Sequence, residues 1–366
     1  MKLKYLITLS LLTLVIAMQA QQPIDKNTTK ETTALYRQLL TLIQKKQILF
    51  GQQDATAYGL DWKSEKNRSD MKTVSGTHPA IYGWDVGGIE KESKKNLDGV
   101  DFNEMRILIK EAYQRGGVNT ISWHLINPVS NQSAWDTKTV ASIDSILPDG
   151  AYNAKYNAFL DRLATFLGTL KTDDGIFIPI IFRPYHENTA DWFWWGSQNS
   201  VVSYVKLWRY TVTYLRDTRN LHHLLYAYSP DKTSSHEKYF ERYPGDDFVD
   251  VLGHDCYHFG GVATANAYLT KTREMLLYIA ENAKKRGKPT AFTETGLETV
   301  NQNDWWTNVL YKTIDNVPIA YVLVWRNANN RPNHFYGPTP NHPANQDFMK
   351  FIGKCNIITG NKLTQQ

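Results

Sequence analysis

The chain of 366 residues contains only two cysteines, Cys256 and Cys355. Two thiols so far apart do not make a disulfide framework, so the fold must rest on an ordinary hydrophobic core, and both are expected to be free packing residues. No block of consecutive basic residues exists and the net charge is only +5. That removes the electrostatic footprint of a nucleic-acid binder. No glycine-rich loop follows the first strand-like run, which takes away the main signal of a dinucleotide fold. Repeats and low-complexity linkers are absent as well, so a second domain is not expected. His254 and His258 stand four apart with Asp255 between them, but they flank a strand end rather than share a helix face. No metal and no cofactor are expected.

Long apolar runs are missing too, with one exception at the start. Lys2 and Lys4 precede an apolar run over residues 5–18, and Ala20 is a small residue at a plausible cleavage point. The run is shorter than the ~20 residues a membrane span needs and polar residues follow it directly. Residues 1–20 are therefore expected to be a signal peptide, leaving 21–366 as one catalytic domain, exported to the periplasm or beyond and not membrane-bound after processing. Losing Lys2 and Lys4 leaves 39 − 36 = +3.

What the chain has in abundance is aromatic surface, with 11 Trp and 21 Tyr. The density peaks in one stretch, residues 176–196, IFIPIIFRPYHENTADWFWWG. It opens as an apolar run suited to a strand buried on both faces. It then stops at Arg183, His186 and Glu187, and a carboxylate at the end of a buried strand is costly unless paired or used. Trp192, Phe193, Trp194 and Trp195 follow, in what should be a polar loop. Flat aromatic faces beside a carboxylate suit sugars, which stack their apolar ring faces on indole.

Strand-like runs recur at 48–51, 79–85, 118–124, 176–182, 221–228, 248–257, 289–296 and 319–326. Helical periodicity falls between most of them, at 101–115, 151–170, 201–216, 264–286 and 304–314, with one more helix before the first strand (33–45) and one after the last (346–352). Such alternation predicts parallel strands with helical crossovers, and eight units predict a closed (β/α)8 barrel of the TIM type, of class α/β. Long polar loops at 125–150 and 327–343 are enlargements of that plan.

A barrel gathers its chemistry at the C-terminal ends of its strands. His124, Glu187, Asp255 with Tyr257, Glu294, and Trp325 with Arg326 all fall at such ends. Strand alternation predicts that Arg183, Tyr185 and Glu187 share one face, and that Asp255 and Tyr257 share another. Two carboxylates from separate strands suggest glycoside hydrolysis. Unit charges about 5 Å apart at an effective dielectric near 20 repel by roughly 3 kcal/mol, about two pK units, so one proton stays on the pair. Glu187, among indoles, suits the acid; Glu294, between two threonines, suits the nucleophile.

Arg183-Pro184-Tyr185-His186-Glu187 with Trp192-Phe193-Trp194-Trp195-Gly196 resembles the signature of glycoside hydrolase family 26, the β-mannanases. Thr293-Glu294-Thr295-Gly296 resembles that family's nucleophile segment. The resemblance covers most of the chain after residue 20. It implies a retaining β-1,4-mannanase with Glu187 as acid/base and Glu294 as nucleophile. It further implies substrate-binding roles for His124, His186, Trp192, Asp255, Tyr257, Trp325 and Arg326. Ala190 departs from the pattern, where the family often has glycine. The implied partner is a β-mannan polysaccharide or manno-oligosaccharide, bound by a monomer. Xylan or mixed-linkage β-glucan as substrate, a mannobiose-releasing exo mode, and a non-catalytic sugar-binding barrel stay open as alternatives.

Protein purified from its native host should begin near residue 21 on N-terminal sequencing; an intact Met1 would refute the leader.

Overall fold

The structure, a computed structural model, describes residues 22–231, 233 and 235–360. The expected leader at 1–20 lies outside them. Eight parallel strands form the centre: β1 (Ile48–Gln53), β2 (Ile81–Asp85), β3 (Val118–Trp123), β4 (Ile180–Pro184), β5 (Leu224–Tyr228), β6 (Val251–Asp255), β7 (Thr290–Thr295) and β8 (Tyr321–Val324). Each pairs with the next, and β8 pairs back onto β1 with Leu49 opposite Tyr321, which closes the (β/α)8 barrel. Every residue of all eight is buried. Continuous apolar runs, rather than strict alternation, are what strands covered on both faces require.

The helix Lys30–Gln44 comes before β1. Its buried residues Leu35, Tyr36, Leu39 and Leu42 belong to one cluster with the lumen residues Leu49, Ile81, Ile181, Leu225 and Val251. It thereby plugs the N-terminal end of the barrel, and the Tyr36 hydroxyl donates to the Gly287 carbonyl at 2.9 Å. Thr29 caps this helix by accepting from the Thr32 amide. The opposite end stays open for ligand.

Several boundaries differ from the sequence reading, and small elements appear that it did not contain. β4 begins at Ile180 rather than 176, because Ile176 is exposed and Phe177 only bridges to Lys171. β6 is shorter than 248–257: a 3-10 turn, Asp246–Phe248, precedes it, and Cys256 and Tyr257 follow it as irregular backbone. Between β1 and β2 lie a two-residue ribbon pair, Tyr58–Gly59 with Trp62–Lys63, and a short helix, Asp70–Ser75. Their apolar residues are too few to give a periodic signal. Cys256 is buried with its sulfur 3.4 Å from the Thr272 hydroxyl, whereas Cys355 is exposed; they are not bonded to each other. No helix among the described residues is long and apolar enough to cross a membrane.

Trp306 is fully buried between barrel and outer helices, with Phe348 at 4.8 Å, Phe351 at 5.9 Å and Phe50 at 6.0 Å between ring centroids. Trp306→Ala should lower unfolding free energy by about 3–5 kcal/mol, the usual cost of deleting a buried indole, as read by chemical denaturation.

Candidate active site

The strand order brings residues separated by more than a hundred positions to one mouth. A cavity of about 620 Å3 opens there, lined by His124, His186, Glu187, Trp192, Asp255, Tyr257, Glu294 and Trp325, together with Trp135, Phe193, Asp231, Phe259 and Tyr336. Eight of the nine residues singled out from the sequence line it. Arg326, the ninth, does not. Its guanidinium is drawn away to Asp98 at 3.0 Å and lies over the Tyr58 ring, donating to that hydroxyl at 3.3 Å. A buried guanidinium goes to the nearest buried carboxylate, and Asp98 reaches it from the loop after β2.

The nucleophile-side carboxylate is aimed by a bulge. β6 and β7 stay in register through His254 and Phe292, then shift so that Asp255 stands opposite Glu294. Such a bulge re-aims a side chain at the rim of a barrel. Arg183, on β4, then clasps both acids, donating from Nη1 to Asp255 Oδ2 at 2.6 Å and from Nη2 to Glu294 Oε1. The other Glu294 oxygen, Oε2, accepts from the Tyr257 hydroxyl at 2.7 Å. Asp255 Oδ1 accepts from the Thr293 hydroxyl at 2.6 Å. Gly296 follows with φ +154°, and a Cβ there would come within 2.5 Å of the Tyr336 ring. Only glycine lets that ring close over the site.

Glu187 is positioned differently. Tyr185 and Glu187 both adopt positive φ, +47° and +52°. Left-handed backbone at two non-glycine residues is strained, and it breaks the two-residue alternation of the strand. The expectation that Arg183, Tyr185 and Glu187 share a face therefore fails at Tyr185. Its ring turns into the helix layer, where the hydroxyl meets Thr211 Oγ1 at 2.8 Å. The turn is held by the Glu187 amide, which donates to the Ser229 carbonyl at 2.8 Å, and by the Trp195 indole, which donates to the His186 carbonyl at 2.9 Å. Of the four clustered aromatics, Phe193, Trp194 and Trp195 are buried packing, and Trp192 alone is exposed, at 42%. Its indole N–H donates to Glu187 Oε2 at 2.8 Å.

The two histidines form a relay. His124 Nδ1 donates to Asp85 Oδ2 at 2.7 Å, and His124 Nε2 faces His186 Nε2 at 3.1 Å. Burial and the nearby Arg183 hold His186 well below the usual histidine range, so it is neutral. Burial lowers His124 as well, but the Asp85 carboxylate outweighs it and the net direction is upward. Asp85 itself was not singled out from the sequence, although it closes a strand end in the same way as His124. Trp135 was also missed. It lies in the polar loop 125–150, half exposed, and stacks on His124 at 5.4 Å and 16°. A lone tryptophan in a polar loop was the available signal.

One carboxylate oxygen from each of Glu187, Asp255 and Glu294 lies within 4.8 Å of the others. Three acids so close could hold a cation, but Arg183 already supplies the positive charge to two of them. The third responds by keeping its proton. Burial, then the charges of Glu294 and Asp255, push Glu187 well above the ordinary carboxylic range, against the Trp192 hydrogen bond. The site therefore presents a protonated acid opposite a carboxylate fixed at both oxygens. His254 and His258 do not converge on a metal; Nδ1 of the first contacts the Pro230 carbonyl, and the second contacts Gly261 and accepts from the Trp305 indole.

The family model of glycosyl hydrolase family 26 matches residues 24–314. A GH26 β-mannanase from Bacteroides ovatus superposes with a TM-score of 0.88 at 42% identity, over 91% of this chain and 96% of the other. A modular endo-β-1,4-mannanase from Cellulomonas fimi gives 0.83 at 35% identity, over 93% and 78%. In sequence, a mannan endo-1,4-β-mannosidase of Bifidobacterium adolescentis is 35% identical across 92% of this chain, which spans only 35% of that relative's length.

Replacing Trp192 by Phe removes the hydrogen bond that favours the ionised Glu187 while keeping a ring in place. The Glu187 pKa should rise further, as followed by carbon-detected carboxyl titration. A fall would mean that the indole does not stabilise the charged form.

Proposed function

The chain belongs to glycosyl hydrolase family 26, and on that premise we propose that it is a β-1,4-mannanase that hydrolyses mannan, glucomannan or galactomannan by double displacement. The observation that carries this reading is the pairing of unlike carboxyls: Glu187, which burial and its acidic neighbours push well above the ordinary carboxylic range, and Glu294, clasped at one oxygen by the Arg183 guanidinium and at the other by the Tyr257 hydroxyl.

In the first step a Glu294 oxygen attacks the anomeric carbon. The glycosidic bond breaks, and its oxygen leaves with the proton from Glu187. In the second step Glu187, now a carboxylate, takes a proton from water, and that water displaces Glu294. An inverting enzyme needs its carboxyls ~6.5–9.5 Å apart to seat a water between acid and sugar. The 4.8 Å limit on the closest oxygens favours the tighter, retaining arrangement. Neutral His186, bridged through His124 to Asp85, offers a fixed hydrogen-bonding edge to sugar hydroxyls without adding charge beside the acid. Trp192, Trp135 and Trp325 supply faces for stacking. The basic, apolar start of the chain supports export, where polysaccharide substrates are met.

The two glutamates should fail differently. Glu294→Ala should be inactive on every substrate, by at least about four orders of magnitude. Glu187→Ala should still react with a dinitrophenyl mannoside, whose leaving group needs no proton, and then stall as a glycosyl-enzyme visible by mass spectrometry. Azide should restore turnover and give the β-glycosyl azide. Recovery of α-azide, or β-azide from the Glu294 variant alone, would reverse the stereochemistry or the roles.

A further inference from the structure

A second cavity, of about 210 Å3, lies beside the cleft. It is bounded by His254 on β6 and by Tyr268, Lys271, Thr272 and Met275 on the helix Ala265–Lys285. Cys256, Tyr257 and Phe259 line both cavities, so the segment after β6 is a partition between them. None of the three carboxylates lies in the side cavity. Its volume is that of about seven waters at ~30 Å3 each, enough for one sugar ring and not two.

The chemistry of its wall is specific. His254 is 1% exposed, and its Nδ1 sits 3.2 Å from the Pro230 carbonyl, which can only accept. Nδ1 therefore carries the ring proton, and Nε2 is a bare acceptor. Among the described residues nothing donates to that Nε2, and burial holds the ring neutral by pushing its pKa down to about 4. A neutral acceptor fixed on the cavity wall suits a hydroxyl donor. A lone pair repels an anion, and an apolar ligand would leave it unsatisfied. Thr264 and Lys271 add polar groups at the mouth, Met275 offers an apolar floor, and Phe259, 74% exposed, stands on the partition. A hydroxyl-bearing ring with an apolar face fits this mixture.

We propose that the side cavity is a subsite for one neutral sugar carried as a branch on the mannan main chain. The proposal rests on the mannanase reading. The main chain must run between Glu187 and Glu294, so a ring beyond the Cys256–Phe259 partition reaches the cavity only as a substituent. His254 Nε2 accepts from one of its hydroxyls.

The test compares hydrolysis of linear mannan with that of galactomannan. Ala267→Trp, at the exposed rim of the side cavity and outside the cleft lining, should fill the cavity. His254→Leu removes the acceptor. Both should lower kcat/KM on galactomannan about ten-fold and leave linear mannan unchanged, and limit digests should lose their branched products. Equal losses on both substrates from Ala267→Trp would assign the cavity to the main chain, and no loss on either would mean that it binds no part of the substrate; each overturns the proposal. Failure of the unaltered protein to cleave linear mannan would instead overturn the mannanase reading, and the branch subsite with it.

Discussion

One guanidinium organises the mouth of this barrel. Arg183 is 3% exposed and donates to Asp255, Glu294 and Ser229. A charge so deep is tolerated only when paired, and stripping one partner from such a pair costs about 3–5 kcal/mol. Arg183 and the two acids therefore stabilise one another's burial. Their geometry leaves Glu294 no freedom, since one oxygen is tied to Arg183 and the other to Tyr257. Asp255 and Glu294 share one guanidinium, and Glu187, placed within 4.8 Å, has no such partner; burial pushes both Asp255 and Glu187 up, but only Asp255 has Arg183 to oppose it. The unlike settings of Glu187 and Glu294 thus follow from a single ion-pair arrangement.

The loop after β4 answers a different demand. Glu187 must project across the mouth from a strand that, by alternation, would not present both it and Arg183 together with His186. Positive φ at Tyr185 and Glu187 resolves the conflict at the cost of backbone strain. The aromatic run repays it: Phe193 stacks on Trp195 at 4.5 Å, Trp195 holds the His186 carbonyl, and Trp194 donates to the Leu125 carbonyl at 3.1 Å. Three of the four rings are structural braces, and the fourth, Trp192, remains exposed beside the acid.

Much of this was legible beforehand. Strands buried on both faces write themselves as apolar runs, so the eight-unit pattern and the polar residues at its ends could be read directly. His124, Glu187, Asp255, Tyr257, Glu294 and Trp325 all reached the cavity. The failures have local causes. Arg326 follows Trp325 at a strand end, but Asp98, more than two hundred residues away, turns it aside. Tyr185 obeyed alternation in the sequence and not in the chain, because strain is invisible in residue types. Asp85 and Trp135 carried only weak signals, because the partner both meet, His124, follows a different strand and no adjacent residue marks the contact.

Residue order alone set the α/β alternation, the barrel closure it implies, the candidate glutamates and the family. These depend on short-range periodicity and on motifs whose residues are adjacent in the chain. Where Arg326 points, how Tyr185 turns out of the barrel and how Arg183 and Tyr257 clasp Glu294 were settled only on folding. Those outcomes turn on distances between strands and on the low dielectric of the buried mouth, where a single hydrogen bond or ion pair moves a proton, and neither quantity exists until the barrel has closed.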